Sequence, residues 1–158
     1  TIDNLPRPTA SARVMPVRPV PGAYAVTPVA GGLAASADNA LRYRPYVLAL
    51  EAADAKRLVA AYIRLYPLFE SAYRELGYPD AHFNDRLVAA LDDLLAAPEA
   101  DAAVLVQPKV LYVFADPALE ARSAGQKIMV RMGAANAARV KDKLRAIRRE
   151  LTASGASS

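Results

Sequence analysis

The chemistry-bearing side chains of this chain gather in two short blocks. The first is His82-Phe83-Asn84-Asp85-Arg86, which holds the only histidine. His82 and Asp85 are three residues apart, and His82 and Arg86 are four apart, so on a helix all three share a face. Imidazole is the one side chain that exchanges a proton near neutral pH without help, so the block has the parts of an acid–base site. Ordinary helix-start chemistry explains the same residues: Asp85 favours the positive end of a helix, and Asn84 bonds nearby backbone. The second block is Ser123-Ala124-Gly125-Gln126-Lys127. Gln126 and Lys127 could line a polar site with Lys109 and Tyr112. The competing account is that Gly125 lets two helices approach closely.

Other chemistries lack their parts. There are no cysteines, which removes disulfides, thiolate metal sites and a thiol nucleophile. One histidine among scattered carboxylates gives no zinc spacing, and Asp92-Asp93 reads as a weak acidic pair on a solvent face. No glycine-rich phosphate loop or dinucleotide fingerprint is present. No catalytic residue, cofactor or metal is therefore assigned.

The elements that must position these blocks are mainly helical. The 158 residues are 54% hydrophobic, enough for one packed domain. Six of the twelve prolines fall in the first 28 residues, and each removes a backbone donor. Residues 1–37 therefore read as an extended arm or linker, with Val14–Val20 or Tyr24–Thr27 able to add an edge strand. A helical domain is expected over 38–153 and a disordered tail over 154–158. Its first helix begins near Asp38, with Pro45 tolerable only in the first turn. The second carries a stripe of Leu58, Tyr62, Leu65, Phe69, Ala72 and Leu76, beside another of Val59, Ile63, Tyr66 and Tyr73. A helix so apolar is expected at the centre of the fold, kinked at Pro67 and ended by Gly77.

A third helix is expected to start at Asp80 and bury Phe83, Leu87, Leu91 and Leu94. Val104–Phe114 is ambiguous, and its Pro108 tips the reading slightly toward a short helix over a strand. Asp116-Pro117 starts a helix running to about Met132, and a last helix from about Asn136 buries Val140, Leu144, Ile147 and Leu151. The fold class is a compact bundle of about five helices with a proline-rich arm, and with a small β element if 104–114 is a strand.

Charge is uneven. Residues 38–121 carry eight basic and thirteen acidic residues, whereas residues 122–158 carry nine basic residues against Asp142 and Glu150. The last helix presents Arg139, Lys143, Arg145, Arg148 and Arg149, a basic surface whose charge suits anionic lipid headgroups or nucleic acid. The plainer reading is a solvated face over a core stripe, or one received by the acidic middle of the same chain. No nucleic-acid partner is expected.

Several blocks carry a family resemblance. These are Arg44-Pro45-Tyr46, Leu65-Tyr66-Pro67-Leu68-Phe69, Glu75-Leu76-Gly77-Tyr78-Pro79, Phe83-Asn84-Asp85-Arg86-Leu87, Gln107-Pro108-Lys109-Val110-Leu111-Tyr112, Phe114-Ala115-Asp116-Pro117, Ser123–Lys127, Arg131-Met132-Gly133 and Asn136–Lys141. Together they resemble the bacterial domain of unknown function numbered 3014 over nearly the whole chain. The resemblance brings no catalytic residues. It implies an envelope protein with an upstream transmembrane anchor and a proline-rich linker, of which this chain is the periplasmic part. A start at Thr1 and not Met fits a fragment. No apolar run here reaches the roughly 18 residues that span a bilayer. The expected role is non-enzymatic binding of an envelope protein partner. A cell-wall glycan or anionic lipid is the alternative ligand, and a hydrolase or transferase around His82 the third reading.

Overall fold

The computed structural model describes residues 1–9, 20–100 and 103–155. Among them are six α-helices, one 3-10 turn and a four-stranded antiparallel sheet. The fold is thus mostly helical with a small β element. Residues 10–19 of the proline-rich stretch, which include Val14–Pro19, lie outside the described residues.

The sheet is built from two distant segments. Strands β1 (Val26–Val29) and β2 (Gly32–Ala35) form a hairpin through Ala30-Gly31, so the expected edge strand sits slightly later than Tyr24–Thr27. Strands β3 (Val104–Val106) and β4 (Val113–Phe114) extend it in the order β1-β2-β3-β4. The helical reading of 104–114 is corrected here. Valines at 104, 106 and 113 suit a pleated surface, and Pro108 falls in the loop between the strands. Pairing sets Leu33 against Leu105 and Leu105 against Phe114. Leu105 is 0% exposed, a burial worth about 1.5–3 kcal/mol. Gly32 is needed for this join: a Cβ there would stand 2.8 Å from the Leu105 carbonyl oxygen.

Helix α1 (Asp38–Ala52) contains Pro45 at its middle, not in its first turn. Helix α2 (Ala55–Glu75) is capped by Asp54, whose Oδ1 accepts from the Arg57 N–H at 2.8 Å. Helix α3 (Phe83–Leu95) starts two residues later than expected, with His82 and not Asp80 at the N-cap. The single helix expected over 117–132 is two. α4 (Pro117–Glu120) is one turn behind the Asp116 cap, and α5 (Ala124–Arg131) restarts at Ser123, whose Oγ accepts from the Gln126 N–H. Gly125 therefore lies in a first turn and not in a helix interior. Gly133, at φ 85°, separates α5 from α6 (Ala134–Ala153), a conformation that favours glycine.

Helix α6 is the hub, packing on α1, α2, α3 and α5. Val140, Leu144 and Leu151 meet Val47, Val59, Leu91, Met129 and Met132 in one core. The N-terminal turn Ile2–Asn4 packs on α3. The segment after it caps α5, since the carbonyls of Arg7 and Leu5 accept from the Ala124 and Gly125 N–H groups at 2.7 and 2.8 Å. A Cβ at Gly125 would stand 2.8 Å from Leu94 Cδ2 and 3.1 Å from the Leu5 carbonyl. The close-approach account of this glycine is the one the structure bears out.

Candidate functional site

The His82 block is organised by a residue the sequence reading passed over. Glu70 stands on the inward face of α2, and its carboxylate is almost fully buried. Oε2 accepts from the Phe83 N–H and from Tyr66 OH, each at 2.9 Å. Oε1 lies 2.9 Å from His82 Nδ1 and 3.4 Å from Arg74. Glu70 thus supplies the N-terminal cap that the His82 side chain does not make. The Phe83 N–H, with help from His82 and Tyr66, holds this carboxyl down at about 2 against the burial that opposes it. One signal in the sequence could have found it: a lone carboxylate between Tyr66 and Tyr73 on an otherwise apolar inner stripe.

Asn84 is buried and accepts from Tyr62 OH at 3.1 Å, not from local backbone. Burial pushes the Tyr62 hydroxyl up to about 12. Arg86 turns the other way and reaches the N-terminal segment, where its Nε donates to Asp3 Oδ1 at 2.8 Å. Asp3 also pairs with Arg7 at 2.6 Å, and Arg7 donates to Tyr78 OH. Asp85 is exposed at the start of α3.

The second block does not join the first by any bond among the described residues. Gln126 donates to the carbonyl and Oδ1 of Asp93, both at 3.0 Å, and Ser123 Oγ donates to Asp93 Oδ2 at 2.6 Å. Asp93 is therefore an internal acceptor and not half of a solvent-facing acidic pair. The Gln126 Oε1 is buried with no partner among the described residues. Lys127 donates to the carbonyl and Oε1 of Glu120 at 3.0 and 3.1 Å. Burial raises the Glu120 carboxyl, but the Phe114 N–H and Lys127 overcome it and leave it lowered. Lys109 is exposed in the β3–β4 loop. Tyr112 packs against Tyr24, with 6.1 Å between ring centres, and gives its carbonyl to Arg131. Among the described residues no three acidic or histidine side chains stand together as a metal cluster would.

The cations of α6 are mostly engaged within the chain. Arg139 makes a two-pronged pair with Glu51, Nε to Oε1 at 2.7 Å. Lys143 donates to the Ala53 carbonyl at the end of α1, and buried Lys141 to the Ala97 carbonyl just beyond α3. Both act as C-terminal caps. Arg148 reaches Asp92 at 3.2 Å, and Arg145 reaches Asp142 at 2.7 Å. Arg149 is exposed with no partner among the described residues. Two of these cations, Arg139 and Arg148, thus reach acidic side chains of the middle of the chain.

Helix α2 departs furthest from expectation. The face it turns inward draws on both stripes: Val59 and Tyr73 of the second are buried and Tyr66 is partly so, as is Tyr62 of the first, whereas Ile63 of the second is exposed. Along its outer side Leu58, Leu65, Leu68, Phe69 and Leu76 are exposed, Leu68 by 67% and Leu76 by 71%. Ala61 and Ala72, both exposed, lie between them. A cleft of about 480 Å³ opens at the N-terminus of α6, lined by Tyr24, Asn39, Arg44, Phe114, Arg131 and Arg139 among others.

A family model described as a protein of unknown function, DUF3014, matches residues 1–148, and the chain belongs to this family. No curated protein and no solved structure matches the chain.

Proposed function

We propose that this domain is a binding module that docks a protein partner, not an enzyme, and that the docking surface is the outer face of α2. The observation that carries this is the row of exposed leucines from Leu58 to Leu76 on one helix. Contiguous apolar surface of this kind marks interaction sites, whereas scattered single residues do not. The polar blocks, in contrast, hold the fold together. Glu70 and Asn84 fix the start of α3, Asp3 and Arg86 fix the N-terminal segment, and Asp93 and Gln126 tie α3 to α5.

The same proposal places the domain on the periplasmic side of a bacterial envelope, tethered by an upstream transmembrane helix. That placement is supported by what the family resemblance implies. Among the described residues no helix is long and apolar enough to cross a membrane, so the anchor would lie outside them. Protection of the full-length protein from protease in whole cells, with digestion after outer-membrane permeabilisation, is the expected result. Digestion only after the inner membrane is opened would remove the location.

The docking proposal is tested by chemical crosslinking of the full-length protein in intact cells. Leu65→Glu with Leu68→Glu is expected to abolish the protein adduct, while charge reversal of Arg145, Arg148 and Arg149 leaves it. The opposite pattern would transfer the function to α6.

A further inference from the structure

One end of the sheet is an apolar surface of its own. Val29 pairs with Gly32, and Val106 pairs with Val113, so the β1–β2 turn and the β3–β4 loop lie at the same end. Val29, Val106, Val110 and Leu111 are all exposed there. Val110 and Leu111 form the tip of the longer loop. At 84% and 76% they are the two most exposed large apolar side chains among the described residues. The loop is braced in this shape. Gln107 Nε2 donates to the Val110 carbonyl at 3.1 Å, and Pro108 fixes a backbone angle beside it. At the base Arg131 donates to the Tyr112 carbonyl at 3.1 Å, and the Tyr112 ring packs on Tyr24. The fold thus holds two aliphatic side chains out in water.

Charge around the tip has one sign. Residues 20–37 carry no charged side chain, and residues 103–115 carry only Lys109. Arg131 adds a second cation at the base of the loop. Of the carboxylates that follow in the chain, Asp116 lies beyond the far end of β4, and Glu120 is paired with Lys127. An aliphatic tip with long cationic side chains behind it suits the boundary between acyl chains and anionic headgroups, because lysine and arginine can reach back to the phosphates.

We infer that this end of the sheet inserts shallowly into an anionic lipid bilayer, with Val110 and Leu111 among the acyl chains and Lys109 at the headgroup phosphates. Shape favours lipid over a protein. Two side chains on a projecting tip cover far less than the roughly 800 Å² per partner of a stable protein interface, whereas fluid lipid closes around them on every side. The sheet edges are also guarded against a partner's strand. Pro28 of β1 has no N–H to offer, and the Phe114 N–H of β4 is taken by Glu120. This surface is separate from the outer face of α2, and the inference does not rest on that reading.

Flotation of the 158-residue chain with vesicles of phosphatidylethanolamine and phosphatidylglycerol tests it, with phosphatidylcholine vesicles as the neutral comparison. Val110 and Leu111 together carry about half the carbon of a myristoyl chain, which alone binds membranes only reversibly, so the assay needs millimolar lipid. Retention on the anionic vesicles is expected. Val110→Ser with Leu111→Ser should weaken it by about tenfold or more, and Lys109→Glu by about tenfold, with unchanged circular-dichroism melts. The chain has no tryptophan, so Leu111→Trp reports on the tip alone. Its emission is expected to shift to the blue on the anionic vesicles, while that of Leu68→Trp on α2 stays as in water. No retention on anionic vesicles would overturn the inference. So would retention that survives the double serine variant, or a blue shift from Leu68→Trp in place of Leu111→Trp, since either puts the lipid surface elsewhere. If the vesicles fail and a photocrosslinker at position 111 yields a protein adduct in cells, the tip binds protein and the lipid inference is wrong.

Discussion

Helices α2 and α6 are the two longest in the molecule, and each inverts what its sequence suggests. α6 is crowded with cations, yet it spends them inside the chain, on Glu51, on Asp92 and on the carbonyls of Ala53 and Ala97. α2 is rich in leucine, yet it turns Leu58, Leu65, Leu68 and Leu76 to solvent and buries a carboxylate. The difference teaches that residue type states what a side chain requires and not who supplies it. A lysine stem passes along apolar surface to reach a carbonyl. An apolar stripe requires cover, and the cover need not come from its own chain.

The largest effect on this comparison is expected at the inner side of α2. Glu70→Ala leaves the buried Phe83 N–H without an acceptor and frees the start of α3 from α2. A melting temperature lower by roughly 5 °C or more is expected, with the helix content otherwise kept. No change would mean that the inner face of α2 does not organise the fold. The acid limb sharpens the same point. The Glu70 carboxyl ordinarily titrates near 4.5 and is held at about 2 in the fold. Its contribution is therefore complete above about pH 4.5 and is lost as pH falls from there through about 2. Glu70→Gln is expected to flatten the stability curve of the chain between those values in a denaturant titration at each pH.

Next in size is Lys141. Lys141→Met removes the donor to the Ala97 carbonyl from a buried position, at a cost of about 1–3 kcal/mol measured by urea unfolding. Gly125→Val should cost a similar amount, about 1–3 kcal/mol. Its added atoms meet Leu94 and the Leu5 carbonyl, so amide exchange at Ala124 and Gly125 should accelerate as the N-terminal segment lifts. The smallest effect belongs to the outer surfaces: Leu68→Glu, and Arg145→Glu with Arg149→Glu, should each change monomer stability by no more than about 0.5 kcal/mol. If Leu68→Glu instead unfolds the chain, its side chain is core and the contrast between the helices collapses.

The helices were legible where punctuation was strong. The Asp116-Pro117 start, the Ser123–Lys127 packing glycine, the break at Gly133 and the buried face of α6 follow from local chemistry. Three things were not legible, for a shared reason: each depends on a partner distant in sequence. Val104–Phe114 becomes strand because β2 offers it an edge, which no window within 104–114 contains. The cap of α3 comes from Glu70 on the preceding helix, whereas the local sequence points to Asp80. The face that α2 turns inward takes Tyr62 from one stripe and Val59, Tyr66 and Tyr73 from the other, and only the packing of α3 and α6 decides it.

The most direct test of the contrast between the two helices is site-specific photocrosslinking in living cells, with the probe at position 68 on α2 or position 145 on α6. A discrete protein adduct from position 68 and none from position 145 is the predicted result. An adduct confined to position 145 would show that the free cations of α6, and not the exposed leucines of α2, are what this domain presents to its partner.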